Sequence, residues 1–193
     1  MGVLISEDLK WGKHITKMCN KANSILAFLR RNLKHCPEDL KKTAFQSLVR
    51  STLEYADVVW DPHLQKDIQS IEKVQRKGAR FIVSDYRRES SVTAMLQKLD
   101  LQPLWERRRE ARLTMLYKMI NGLVAIRPDD ILVRNTRATR NNLGYRQPRC
   151  NTTIFQHSYF PRTIKDWNSI SDSTKQASSI EIFKSKLKIQ RYR

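Results

Sequence analysis

Acidic residues are scarce in this chain. Nineteen Asp and Glu face 37 Lys and Arg across 193 residues, a formal net charge of +18. Between Asp130 and Asp166 there is no acid at all, while Arg134, Arg137, Arg140, Arg146, Arg149, Arg162 and Lys165 fall in that stretch. Such an excess self-repels in a compact domain and calls for a polyanionic partner. Nucleic acid is the commonest one; for any single residue, a solvated surface position is the plainer reading.

Glycine is also sparse. Five glycines leave little room for a phosphate-cradling loop, and neither G-x-S-x-G nor H-E-x-x-H occurs. Four histidines pair with no recognisable nucleophile, so no catalytic residue is expected. Cys19, Cys36 and Cys150 are odd in number and far apart, which suits free thiols in a reducing compartment. Cys19 and Cys36, with His14 and His35, lack the close spacing of a zinc site; neither metal nor cofactor is expected. No apolar run reaches the roughly 18 residues of a membrane-spanning helix, and no membrane partner is expected. The opening MGVLISEDLKW lacks the basic leader of a signal peptide. Gly2 with Ser6 fits a myristoylation pattern, but Val3-Leu4-Ile5 reads better as a short buried strand. The nucleus or the cytoplasm is the expected location, with no signal to choose between them.

With 40% hydrophobic residues the chain has material for a core, and its apolar spacing is mostly helical. Ile15, Met18, Ala22, Ile25, Leu29 and Leu33 recur at three and four, one face of an amphipathic helix, with Lys13, Lys17, Lys21, Arg30, Arg31 and Lys34 largely off it. Pro37, followed by Glu38 and Asp39, predicts the start of a second helix with Leu40, Ala44, Phe45, Leu48, Val49 and Leu53 inward. Asp61-Pro62 repeats that signal for a third, carried by Leu64, Ile68, Ile71, Val74 or Gln75, and Ile82. Lys66, Lys73, Arg76, Lys77 and Arg80 occupy its other faces. Ser90 or Ser91 caps a short fourth helix with Val92, Met95, Leu96 and Leu99. Pro103 opens a fifth that Gly122 ends. Arg107, Arg108, Arg109 and Arg112 sit on its first turns, where cations oppose the helix dipole; that mismatch favours an anion contact.

After residue 127 the texture changes. Residues 134–153 read as an extended basic loop or loose hairpin. Thr152 to Phe160 is rich in β-forming residues and Pro161 closes it; Thr163 and Ser179 are plausible caps for two short helices. The expected fold is therefore mainly α: a helical bundle over 13–126, a strand stub over 1–12, and a small mixed, loop-rich basic appendage over 127–193.

Residues 54–60, EYADVVW, place Tyr55-Ala56-Asp57-Val58 one letter from the Tyr-x-Asp-Asp box of nucleotidyl-transfer sites. Two-metal chemistry needs several carboxylates clustered about metals roughly 3.5–4 Å apart. Asp57 is expected instead at a helix end, near the surface, with Trp60 buried at the corner. Asp129-Asp130 follows a proline and looks like a helix start, where acids are ordinary.

A resemblance runs along nearly the whole chain. It comprises Gly2-Val3-Leu4-Ile5 with Asp8-Leu9-Lys10-Trp11 and His14-Ile15; Ala22-Asn23 through Leu29-Arg30-Arg31-Asn32-Leu33; and Leu48-Val49-Arg50-Ser51. Leu53-Glu54-Tyr55-Ala56, Val59-Trp60-Asp61-Pro62, Val74-Gln75-Arg76 and Ala79-Arg80-Phe81 continue it. Beyond these come Leu104, Glu106-Arg107-Arg108, Leu116-Tyr117-Lys118, and Ser158 to Ile164 ahead of Trp167-Asn168. In their order and spacing these segments resemble the thumb and post-thumb region of non-LTR retrotransposon reverse transcriptases of the jockey-like kind.

The resemblance implies helices that hold a template–primer duplex, with the polymerase aspartates upstream in the palm and not in this stretch. It also implies a truncated or internally initiated copy, with Met1 where the family continues. Phosphate contacts are expected from Lys13, Lys17, Arg30 and Arg31; from Arg76, Lys77 and Arg80; and from Arg107, Arg108, Arg109 and Arg112. Arg137, Arg140, Arg146 and Arg149 form a second basic arm toward RNA. Other readings stand beside this one: a helical scaffold meeting a protein partner through the apolar surface around Val3, Leu4, Ile5 and Trp11, a remnant without function, or a chain that complements a separately encoded palm.

Overall fold

The computed structural model describes residues 2–126, 128, 131–135 and 143–190, with the side chain of Gln190 outside the description. The chain is mainly α-helical. In order, the helices are α1 (Gly12–Asn32), α2 (Glu38–Ala44), a π-helical segment (Phe45–Arg50), α3 (Ser51–Glu54), α4 (Gln65–Val83), α5 (Val92–Lys98) and α6 (Leu104–Ile120). Then follow α7 (Thr153–Gln156), α8 (Tyr159–Ser169), α9 (Asp172–Lys175) and α10 (Ile180–Gln190). Two compact units divide the chain, Met1–Arg107 and Arg108–Arg193. The division falls inside α6, earlier than the change of texture at residue 127.

In the first unit, α1 buries Ile15, Met18, Cys19, Ala22, Leu26 and Leu29, the expected face with Leu26 taking the place given to Ile25. Thr16, Ser24 and Asn32 bond back to carbonyls one turn earlier on the outer side. From Glu38 to Glu54 the chain is one helical rod with a π-helical middle. Lys41, Phe45, Val49 and Leu53 are buried along it at four-residue intervals, with Thr52 buried beside Leu53. In a pure α-helix a four-residue step drifts round the axis; the wider i→i+5 turn cancels that drift and keeps the four in line. Leu40 and Leu48, expected inside, lie one position off this line and are about half exposed, at 49% and 48%.

Lys41 is buried, with no acid as its ion-pair partner among the described residues. Its Nζ donates to Ser84 Oγ at 2.6 Å and lies 6.0 Å from the centroid of the Phe81 ring. Ser84 closes the C-terminus of α4, so the ammonium sits where the helix dipole is negative.

Helix ends follow local chemistry. Ser91 Oγ accepts from Ala94 N–H at 3.3 Å to start α5, and Ser179 Oγ accepts from Ile182 N–H at the start of α10. Three helices finish on a left-handed residue: Ser84 (φ 58°), Asp100 (φ 48°) and Gly122 (φ 64°). Each is followed by an N–H that reaches back five residues, Asp85 to Arg80, Leu101 to Leu96 and Leu123 to Lys118. This is the Schellman closure, and only Gly122 has the residue type that announces it.

Several expectations are corrected. Val3-Leu4-Ile5 is not a strand; the Leu4 N–H donates to His14 Nδ1 at 3.1 Å instead of entering a ladder. Asp61-Pro62 does not start α4, which begins three residues later after Leu64. The stretch from Thr152 to Phe160 is helical. Thr152 Oγ1 accepts from Phe155 N–H at 3.2 Å, starting α7. Pro161 falls in the first turn of α8, where a missing N–H costs little. Thr163 lies inside α8 instead of capping it. Among the described residues the only β-pairing is an isolated antiparallel bridge between Arg134 and Tyr145, in the segment expected as an extended basic loop or loose hairpin.

The second unit has its own core of Leu113, Leu116, Tyr117, Ile164, Trp167 and Phe183. The Phe183 ring stacks on Tyr117 at 4.5 Å and on Trp167 at 5.9 Å. Tyr117 Oη donates to the Ala177 carbonyl at 2.6 Å. Asn168 clamps the hairpin, accepting from Tyr145 N–H and donating to Tyr145 O.

Candidate nucleic-acid interface

The corner holding EYADVVW is built for packing. Tyr55 is extended, Ala56 turns left-handed at φ 53°, and Trp60 folds beneath, fully buried, its indole N–H donating to Tyr55 O at 2.7 Å. The His14 imidazole meets the Trp60 ring edge-on at 4.7 Å. Asp57 is half-buried on the turn. Among the described residues, no group of three or more His, Cys, Asp or Glu is placed to hold a metal ion. Asp129 and Asp130 lie outside the described residues.

The basic residues sort by what they touch. On α4, Lys66, Gln69, Ser70, Lys73, Arg76 and Lys77 are all exposed, and helical spacing puts them on one side. The acids of that helix lie elsewhere: Asp67 falls toward the buried face, and Glu72 is turned to α6, its Oε1 accepting from Trp105 N–H at 3.0 Å. Helix α1 contains no acid at all and exposes Lys13, Lys17, Lys21, Arg30 and Arg31. The two helices meet side by side where Lys77 Nζ donates to Asn23 Oδ1 at 3.2 Å. Near the far end, the Arg30 guanidinium lies 4.7 Å over the Tyr86 ring. The structure thus leaves Lys13, Lys17, Arg30, Arg31, Arg76 and Lys77 of the expected set exposed on two helices that meet side by side. Lys66 and Lys73 join them. Their recurrence with Lys77 and Arg80 at seven, four and three residues was a legible sign of a single stripe.

Several of the other expected cations are committed within the protein. The Arg80 guanidinium donates to the carbonyls of Asp85, Arg87 and Ser90, and so ties down the loop after α4. Arg107 binds Glu54 through both Nε and Nη2, the latter at 3.1 Å. Arg50, at the end of the π-helical segment, also faces Glu54, at 3.8 Å. Burial, and then the neighbouring Arg107 charge, hold the Arg50 pKa below its ordinary value, with Glu54 pulling the other way. Arg50 is the basic residue at this junction that periodicity alone did not single out.

In the second unit, Arg108 is buried, at 2% exposure. Arg112 donates to Asp166 at 2.9 Å, and Arg109 lies 3.4 Å from the same carboxylate. The Tyr159 hydroxyl donates to Arg112 O at 3.0 Å, and its pKa is pushed up by burial against a smaller opposing effect of the Arg112 charge. Arg146 and Arg149, just after the bridge residue Tyr145, are exposed. Arg137 and Arg140 lie outside the described residues. His157 is held below its usual pKa first by burial, then by Arg162 and Lys165, a sign of positive potential along this part of the second unit.

An ordered row of ammonium and guanidinium groups with no carboxylate among them can bind a phosphate backbone by displacing its counterions. It reads no base sequence by itself. No helix among the described residues is long and apolar enough to cross a membrane. Comparisons with protein-family models, with curated proteins and with solved structures gave no match.

Proposed function

We propose that the chain is a thumb and post-thumb region of the non-LTR retrotransposon reverse-transcriptase kind, binding an RNA–DNA hybrid or RNA through phosphates without sequence preference. It carries no polymerase chemistry of its own. The observation that supports this reading is the acid-free stripe of α4 lying against the acid-free helix α1, joined at Lys77 and Asn23. The resemblance along the chain supports the family origin, and the +18 charge supports a polyanionic partner.

The test is binding of the purified chain to an RNA–DNA hybrid over a salt series. Each phosphate contact adds about −0.7 to −0.9 to the slope of log affinity against log salt, so several contacts give a steep line. Replacing Lys66, Lys73 and Lys77 by Gln flattens it. A flat response in the unaltered chain overturns the reading, and magnesium-dependent primer extension by this chain alone overturns the non-catalytic part.

A second reading, a scaffold for a protein partner, is favoured by one observation. Leu4, Ile5 and Leu9 are exposed, at 40%, 66% and 57%, beside the N-terminus of α1. Val3 and Trp11 pack partly against the core.

A further inference from the structure

The second unit contains a cavity of about 580 Å³ between the start of α6, the α8–α9 turn and α10. Its size is that of a small-ligand site. Among the described residues that line it are two cations, Arg109 and Lys186, and no carboxylate. Four hydroxyl residues, Ser169, Ser171, Ser173 and Thr174, face the same space. Ile170 and Leu187 supply apolar surface.

These groups are held in place. Arg109 Nη2 donates to Ser169 Oγ at 3.3 Å. Lys186 Nζ donates to the Ser173 carbonyl at 2.7 Å, which spends one of its three donors. Ser171 Oγ lies 3.0 Å from both Ser173 Oγ and Thr174 Oγ1. The carboxylates nearby are already shared. Asp166 serves Arg109 and Arg112 together, and Asp172 takes the buried ammonium of Lys175 at 3.0 Å. Asp166 and Asp172 are thus taken up by neighbouring cations, and Arg109 and Lys186 border the cavity.

We propose that this cavity binds a phosphomonoester, with Arg109 and Lys186 on the phosphate oxygens, the serine and threonine hydroxyls completing its hydrogen bonds, and the aliphatic wall covering the group that bears it. A fork of guanidinium donors and an ammonium are the pair suited to a tetrahedral dianion. The phosphate belongs either to a free mononucleotide or to the end of a nucleic-acid strand. The site is independent of the α4 stripe.

The test is calorimetric titration of the full chain with inorganic phosphate, 5′-adenosine monophosphate, adenosine, and one oligonucleotide with and without a 5′-phosphate. Phosphate and the monophosphate bind, adenosine does not, and Lys186→Gln weakens the monophosphate at least tenfold. Arg109→Gln does the same; because Arg109 also pairs with Asp166, its fold is checked by circular dichroism, and Lys186→Gln decides if it fails. A Lys186-dependent gain from the 5′-phosphate on the oligonucleotide assigns the ligand as a strand end. A response confined to phosphate and the monophosphate assigns a small phosphorylated molecule. Binding of neither phosphate nor the monophosphate, or equal binding of adenosine and its monophosphate, overturns the proposal. So does an unchanged affinity in Lys186→Gln. None of these outcomes depends on the hybrid-binding salt slope, so this site and the α4 stripe fail or stand separately.

Discussion

The ring of Phe45 packs onto the backbone of α4 at Gly78, so closely that a methyl group on that glycine would lie 2.1 Å from Phe45 Cε2. Both residues are buried, and Phe45 is the first residue of the π-helical segment. The missing side chain lets α4 approach the rod that begins at Glu38. The same approach sets the position from which α4 presents its basic stripe.

Gly78→Ala therefore destabilises the first unit, although alanine is the better helix former by about 1 kcal/mol. Overpacking of this kind costs about 1–3 kcal/mol, and the near-total overlap puts the loss at the upper end. Denaturant unfolding measures it. In a double-mutant cycle, Phe45→Leu together with Gly78→Ala loses less than the sum of the single changes. Strict additivity would show that the two residues do not compete for the same space.

Asp100→Gly raises stability. Asp100 is exposed and closes α5 at φ 48°, a conformation that costs an L-residue roughly 1–2 kcal/mol. Glycine removes that cost but is freer in the unfolded chain, so a net gain of about 1 kcal/mol is expected in thermal unfolding. Gly122→Ala, at φ 64° with open space around it, moves the melting temperature in the opposite direction.

Arg107→Gln acts on stability more than on nucleic-acid binding. Glu54 is largely buried, at 19% side-chain exposure, and loses its two-pronged partner; a hydrogen bond removed from a buried charged group costs about 1–3 kcal/mol. The remaining Arg50 at 3.8 Å recovers part of it. Lys73→Gln does the reverse, flattening the salt response and leaving the unfolding curve in place. A salt slope that changes with Arg107 at unchanged stability would return Arg107 to the interface.

The loop after α4 is sensitive to acid. The Asp85 carboxyl accepts from the Arg87 side chain, from Ser90 Oγ at 2.6 Å and from the Arg87 backbone N–H. These bonds, led by the Arg87 side chain, hold its pKa well below the usual carboxylate range. The unfolded chain binds the proton more readily. The resulting stability is complete above the unfolded value of about 3.9 and drains away as pH falls from there through the lower folded value. Asp85→Asn removes that part of the acid dependence, read as a smaller change in melting temperature between pH 5 and pH 2.5.

The mainly helical character was legible because the apolar spacing of α1, α4, α5 and α6 is strong and local. Caps such as Ser91 and the stop at Gly122 were legible for the same reason. The β-like letters from Thr152 to Phe160 misled because capping at Thr152 and burial of Ile164 and Trp167 outweigh intrinsic propensity. The clustered arginines of α6 were visible as a run, but their partners were not. Glu54 and Asp166 lie more than fifty residues away in sequence, and no local pattern connects them. By contrast, the α4 stripe is written in one helix and needed only the period to be read.

The four-residue rhythm of Lys41, Phe45, Val49 and Leu53 has a consequence for how this segment tolerates change. The rhythm depends on the number of residues between its members more than on the identity of those facing solvent. Deleting one residue between Phe45 and Arg50 would restore ordinary α winding. It would also rotate Leu53, Glu54 and the Trp60 corner out of alignment with everything before them. Leu40, Ser47 and Leu48 can vary with little effect on the core, whereas the length of the stretch cannot. In homologous chains this segment is expected to accumulate substitutions freely on its outer side and to admit no insertions or deletions.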